Sequence, residues 1–240
     1  ELTDEQQDAC GALLDDDPRP TLLFGATGSG KTEVYLRLAQ RALELGKQVL
    51  VLVPEINLTP QLEARFAQRF PAETMVSLHS GLTPARRLQN WLMAHEGAAG
   101  LVLGTRLAVF ASLPRLGLIV VDEEHDPSFK QQDGARYSAR DLAVYRGQLE
   151  QAPVILGSAT PSLESWQRAL EGRYRRIDMP SRIGGGVMPT VRLLDMSQLP
   201  REQGPQAPAL APPLLRAIEE RIARGEQSLL LLNRRGYAPV

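Results

Sequence analysis

The chain has 240 residues, 43% hydrophobic and 23% charged, with a formal charge of −1 and a single cysteine, Cys10. That is ordinary globular composition: no apolar run approaches the ~20 residues of a membrane span, so no membrane partner is expected, and one cysteine excludes a disulfide framework or a cysteine-built zinc site within these residues. The near-neutral balance predicts no general affinity for nucleic acid, so any DNA contact has to come from a local patch.

The first residue is Glu1 and no signal-like segment follows it, so the chain reads as a fragment of a longer polypeptide. "LTDEQQDACGALL" opens it as a helix with Thr3 as N-cap. Six short apolar runs follow: Thr21–Gly25, Gln48–Pro54, Met75–Leu78, Leu101–Thr105, Leu116–Asp122 and Pro153–Ala159. They are rich in Val, Leu and Ile without alternation, as strands buried on both faces should be. Helical spacing separates several of them, with Leu36, Ala39 and Leu43 after the first and Leu58, Leu62 and Phe66 after the second. Strand alternating with helix predicts an α/β fold, a mostly parallel sheet with helices on both faces.

A boundary comes late. Residues 198–213 hold five of the 18 prolines and read as a linker. Beyond it, Leu214, Leu215, Ile218 and Ile222 mark an amphipathic helix, and "SLLLLNRRG" reads as a buried strand. One helix and one strand cannot bury a core. The expected organisation is therefore a lobe over 1–197, a linker over 198–213 and the truncated start of a second lobe over 214–240.

"GATGSGKT" leaves the first strand and fits G-x-x-x-x-G-K-[ST]. It comprises Gly25, Ala26, Thr27, Gly28, Ser29, Gly30, Lys31 and Thr32, all candidate ATP-binding residues. Gly28 and Gly30 let the backbone aim N–H groups at phosphate oxygens, and the following helix adds its positive end. Lys31 is expected on the β and γ phosphates and the Thr32 hydroxyl on Mg²⁺.

"IVVDEEHD" then ends an apolar strand in three consecutive carboxylates and a histidine. Like charges at a strand end need something positive opposite, and Mg²⁺-bound ATP on the glycine loop supplies it. The strand is expected directly beside the first. Asp122 is expected on the metal's water shell and Glu123 as the base for the attacking water. Glu124 and His125 are expected to face away from the phosphates and couple outward. "GSAT" (Gly157–Thr160) puts the Ser158 and Thr160 hydroxyls at a third strand tip, the edge where such sheets bind ligands. On its residues alone it reads equally as a Thr160 N-cap before a helix starting at Pro161.

Glycine loop, DExH and SAT in this order resemble the first RecA-like lobe of superfamily 2 helicases. "LHSGL", "GTRLAVF", "DEEHDPSFKQQDGARYSARDLAVYR" and "NRRGYAP" narrow the resemblance to the bacterial primosomal helicases that restart stalled replication forks. The resemblance implies a 3′-to-5′ DNA helicase that uses ATP and Mg²⁺ and works in the cytoplasm at the nucleoid. Its implied partners are forked or single-stranded DNA, the single-stranded DNA-binding protein and other primosome proteins. It also implies a second lobe lending arginines to hydrolysis, with zinc only in a downstream region. By position it implies Gln6 on the adenine edge, Thr105 and Arg106 on the DNA backbone, and His125, Ser158 and Thr160 passing the nucleotide state to the DNA side. In the loop 126–140 it implies Phe129 and Tyr137 as stacking rings, with Lys130, Arg136 and Arg140 offering charge to phosphates. Ala135 and Ser138 stand where the family often has bulkier rings. Two other readings stay open: a P-loop enzyme of another class, such as a transporter ATPase or kinase, and a binding module that keeps a vestigial loop.

Overall fold

The computed structural model describes residues 2–15, 17–184, 190–195 and 210–231. By compactness the chain divides into Glu1–Gly186 and Val187–Val240.

The first unit is built on a seven-stranded parallel sheet: β1 (Thr21–Gly25), β2 (Gln48–Leu52), β3 (Met75–Leu78), β4 (Leu101–Gly104), β5 (Leu116–Asp122), β8 (Val154–Ser158) and β9 (Arg175–Met179). Their spatial order is β3-β4-β2-β5-β8-β1-β9. The six expected runs all form strands, three of them shortened by a residue or two at their ends. β5 does not lie beside β1, however. Strand β8 stands between them, with Leu22 against Leu156 on one side and Val121 against Leu156 on the other.

Successive strand residues face opposite ways, and the core divides accordingly. Leu23, Val51, Val120 and Ile155 pack with α1 (Asp4–Leu13), α2 (Lys31–Glu44) and α3 (Pro60–Arg69) through Ala9, Val34, Ala39 and Phe66. Leu22, Leu50, Ile119 and Leu156 pack with α4 (Pro84–His95), α5 (Ala139–Glu150) and α6 (Leu163–Leu170) through Ala94, Ala143 and Trp166. Helices thus cover both faces, and the fold is RecA-like. Thr3 caps α1 as expected: the Gln6 N–H donates to Thr3 Oγ1 at 3.3 Å, and the Thr3 N–H donates to Gln6 Oε1 at 2.9 Å.

β9 has no counterpart in the sequence reading, because "RRIDM" is mostly polar. It is an edge strand, and charge on an edge discourages pairing with another chain. Between β5 and α5 the chain forms a small antiparallel ribbon, β6 (Lys130–Gln131) with β7 (Tyr137–Ser138). The ring just before it, Phe129, is only 1% exposed and belongs to the core under α5. It offers no face to a base, which corrects its expected stacking role. An aromatic ring beside Pro127 and Ser128 gave no period from which burial could be read.

In the second unit, α7 (Pro212–Ala223) forms where the apolar spacing placed a helix. The expected strand over "SLLLLNRRG" does not form in its described part. Residues 228–231 are irregular, and Leu229 and Leu231 are exposed. A strand needs a neighbour for its backbone groups, and none pairs with this segment among the described residues. Residues 232–236 and most of the proline-rich segment lie outside them. No helix among the described residues is long and apolar enough to cross a membrane.

Truncating a fully buried ring removes contacts and leaves a cavity. Phe129→Ala should therefore lower the unfolding free energy by about 3–5 kcal/mol in urea titrations. A loss below about 1 kcal/mol would place the ring at the surface instead.

Candidate active site

β1 ends at Gly25, and α2 starts six residues later with Lys31 at its first turn. The connecting loop turns through Gly28 (φ +85°) and Gly30 (φ +82°), left-handed conformations that suit glycine. A Cβ at Gly25 would press on Ser29 Oγ and Lys31 Cγ, and one at Gly30 would fall on the Gln6 amide. Lys31 is nearly buried, and its Nζ donates to the Gly25 carbonyl at 2.8 Å, drawing the two ends of the loop together. Ser29 Oγ is buried with no hydrogen-bond partner in the structure. An unpartnered buried hydroxyl, a lysine ammonium and the open N–H groups of a helix start are what a polyphosphate would satisfy. These residues fit the phosphates of ATP. Gln6 Nε2 donates to the Gly30 carbonyl at 3.3 Å, which seats the α1 amide against the loop.

At the tip of β5 the chain turns sharply. Glu123 adopts φ +49°, a left-handed conformation that costs a β-carbon-bearing residue roughly 1–2 kcal/mol. The Asp126 N–H closes the turn on the Glu123 carbonyl at 2.8 Å, and the Glu124 N–H donates to the Gly157 carbonyl of β8 at 3.0 Å. Three consecutive carboxylates thereby point three ways. Asp122 accepts from the Tyr35 hydroxyl of α2 at 3.0 Å. Burial pushes its pKa up and the adjacent Glu123 charge adds to this, while the Tyr35 hydrogen bond and the Lys31 charge oppose. Burial beside Asp122 likewise pushes the Tyr35 phenol well above its usual range, so it stays a donor. Glu123 is partly open, with Oε2 3.7 Å from His125 Nδ1.

Glu124 points inward, contrary to the expectation that it couples outward. It is 1% exposed and accepts from Arg140 Nη1 (3.2 Å), the Ser162 N–H (2.8 Å), Ser162 Oγ (3.1 Å) and Ser165 Oγ (2.7 Å). Arg140 is therefore buried in an ion pair and cannot offer its charge to a nucleic-acid phosphate.

The structure brings His125, Ser158 and Thr160 together. His125 Nδ1 lies 2.7 Å from Ser158 Oγ, and its Nε2 lies 3.4 Å from Thr160 Oγ1. The cap of the following helix is Ser162 and not Thr160, and α6 begins at Leu163. The residues expected on DNA are more scattered. Thr105 is buried. Arg106 donates to the Ser128 carbonyl at 2.8 Å, tying its short 3-10 turn to the loop after β5. Arg106 is half-buried, and its Nε has no hydrogen-bond partner in the structure. Tyr137 meets Phe110 edge to face at 5.0 Å, and Phe110 is the better exposed of the two. Lys130 is exposed with Nζ 3.6 Å from Glu164, and Arg136 is exposed. Phe110, Tyr35 and the serines of α6 went unnoticed in the sequence. Phe110 closes "GTRLAVF", Tyr35 lies three residues past the glycine loop, and Ser162 and Ser165 follow "GSAT", but the motifs alone give none of them a role.

A cavity of about 460 Å³ lies at the opposite, amino-terminal edge of the sheet near Thr21, Gln148 and Gln151. Its charges are already paired, Arg19 with Asp17 and Arg175 with Asp15. It lacks the unpartnered donors of the glycine loop, so size does not make it the reactive site.

The family model for DEAD/DEAH box helicases matches residues 3–169. The chain is 43% identical to the replication restart protein PriA of Bacillus subtilis over 99% of its own length, and 47% identical to that of Haemophilus influenzae over 91%. It spans only 30% and 29% of those two proteins. Among solved structures it is similar to RecG bound to a three-way DNA junction (TM-score 0.57, 23% identity, 77% of this chain and 24% of that one). It is also similar to Mss116 bound to single-stranded RNA and UDP-BeF (TM-score 0.55, 18% identity, 74% and 40%). At those identities the likeness concerns the fold.

Lys31 is the only cationic side chain within the loop Gly25–Thr32. Lys31→Ala should weaken ADP binding at least about tenfold by calorimetry, as expected for loss of a charge-assisted contact. Equal affinity in parent and variant would remove the phosphate from this loop.

Proposed function

The chain belongs to the DEAD/DEAH box helicase family, and from that premise we propose that it is the ATP-binding lobe of a DNA helicase that restarts replication at stalled or forked DNA. The supporting observation is the shared edge of the sheet. The glycine loop after β1, the acidic turn after β5 and the Ser158 tip of β8 all end there, and Lys31 lies close enough to influence the ionisation of Asp122. Similarity to replication restart proteins across nearly the whole chain favours restart over other helicase work. Because the chain spans under a third of those proteins, translocation, its 3′-to-5′ direction and unwinding are proposed for the longer polypeptide. So are its partners, namely forked or single-stranded DNA, single-stranded DNA-binding protein and primosome proteins. Cytoplasmic, nucleoid-associated placement and zinc in a downstream region are proposed on the same footing.

Within this lobe each residue has a task. The N–H groups of Thr27–Thr32 and the Lys31 ammonium hold the phosphates, with Ser29 Oγ as a further donor. Thr32 and Asp122 hold Mg²⁺, which when bound neutralises charge on the phosphate oxygens. Glu123, held apart from its neighbours by its left-handed backbone, takes a proton from water at its open carboxylate. Gln6 faces the nucleotide from α1. His125 bridges to Ser158 and Thr160, so a shift at Glu123 is felt at the third strand tip. Lys130 and Arg136 are the exposed cations left for DNA, with Phe110 and Tyr137 as the neighbouring rings.

This assigns the chemistry to Glu123. In the longer polypeptide, Glu123→Gln should retain MgATP binding within about threefold and lose at least about a hundredfold in kcat, the low end for removing a general base. DNA-stimulated phosphate release at the parent rate would take the base away from Glu123.

A further inference from the structure

Tyr35 stands one turn beyond Lys31 on α2, fully inside the protein. Its hydroxyl donates to Asp122 Oδ1 at 3.0 Å, although β8 separates the strand before α2 from the strand that carries Asp122. The contact passes over β8 at the one residue without a side chain. A Cβ at Gly157 would fall on the Tyr35 hydroxyl and would sit 3.4 Å from Asp122 Oδ1. Glycine at 157 has an ordinary negative φ, so backbone freedom does not explain it; the space does. A buried phenol requires a partner, yet phenylalanine would fill the same volume with no hydroxyl to satisfy. A bond that crosses an intervening strand to reach an acid at the site edge fixes how that acid is turned.

We propose that Tyr35 is a positioning residue for magnesium: its hydroxyl sets the rotation of the Asp122 carboxylate, so that the glycine-loop helix and the acidic strand present their oxygens in one arrangement. The inference rests on reading this edge as the Mg²⁺–nucleotide site. It joins the phosphate-binding and metal-binding halves by a direct side-chain bond. Movement of α2 about the phosphates is then transmitted to the metal's acid without passing through the loop.

The test is ADP binding by this chain, measured in EDTA and across a Mg²⁺ titration. Tyr35→Phe should leave metal-free ADP affinity within about twofold of the parent. It should raise the Mg²⁺ concentration that half-saturates the ADP complex at least about threefold, since a hydrogen bond to a charged group is lost. In an Asp122→Asn background the same substitution should add no further change, because it acts through Asp122. Gly157→Ala displaces the hydroxyl without removing it and should give the same magnesium signature, which covers the case in which Tyr35→Phe unfolds the chain. Parent-like magnesium dependence in either folded variant, or an undiminished effect in the Asp122→Asn background, would overturn the proposal and reduce the bond to a phenol satisfied by its nearest acceptor. Failure of the parent to bind ADP would instead remove the nucleotide site, and this inference with it.

Discussion

Arg140 and Glu124 form an ion pair sealed inside the lobe, and the shape of the site depends on it. Four donors converge on the Glu124 carboxylate from α5, from the start of α6 and from the turn before it. A buried pair of this kind adds little net stability over an apolar pair of the same shape, because desolvation offsets the attraction. Breaking it by removing one partner costs about 3–5 kcal/mol. Its value is therefore geometric. With residue 124 pinned inward and its N–H on β8, residue 123 is held in a conformation it would not choose, and residue 122 is left at the strand tip. One carboxylate thus turns into the core while Asp122 and Glu123 stay at the site edge, and three adjacent acids avoid competing for one position.

The same pair connects the site to the rest of the lobe. Arg140 also reaches Asp141, which in turn receives Arg168. Burial raises the Asp141 pKa, but Arg140 and Arg168 together outweigh it and hold the carboxyl below its usual value. The loop between Asp126 and Arg140 is anchored at both ends by this arrangement, at its start by the acidic turn and at its finish by Arg140. Arg106 also holds its first turn through the Ser128 carbonyl, and Phe129 holds it through the core. Arg140, which the family resemblance assigns to nucleic-acid phosphates, serves here as an internal fastening. Lys130 and Arg136 remain outside, on the ribbon and the segment leading to it.

Much of this was legible because it is local. The glycine loop needs φ values that few residues adopt, so its glycines mark it in any sequence. The strands are buried on both faces, so apolar runs without alternation reveal them. What escaped depends on neighbours far apart in the chain. The sequence cannot state that β8 lies between β1 and β5, since strand order is decided by crossovers. β9 hid because an edge strand tolerates arginine and aspartate. Arg140 and Glu124 look like surface charges until each is seen to be the other's partner. Nothing in the sequence singles out Tyr35, three residues past the glycine loop. Its role appears only when Gly157, more than a hundred residues away, is seen to make room for it.

The central claim is that one metal–nucleotide site is assembled at the carboxyl edge of the sheet from the tips of β1, β5 and β8. Paramagnetic broadening of backbone amide resonances by Mn²⁺–ADP maps this directly, because the effect falls steeply with distance from the ion. Broadening should be strongest at residues 28–32, 122–125 and 157–158, and weak at Asp17, Arg19, Gln148 and Gln151 around the cavity at the amino-terminal edge. Strong broadening at that opposite edge, with the glycine loop and acidic turn left sharp, would contradict the account.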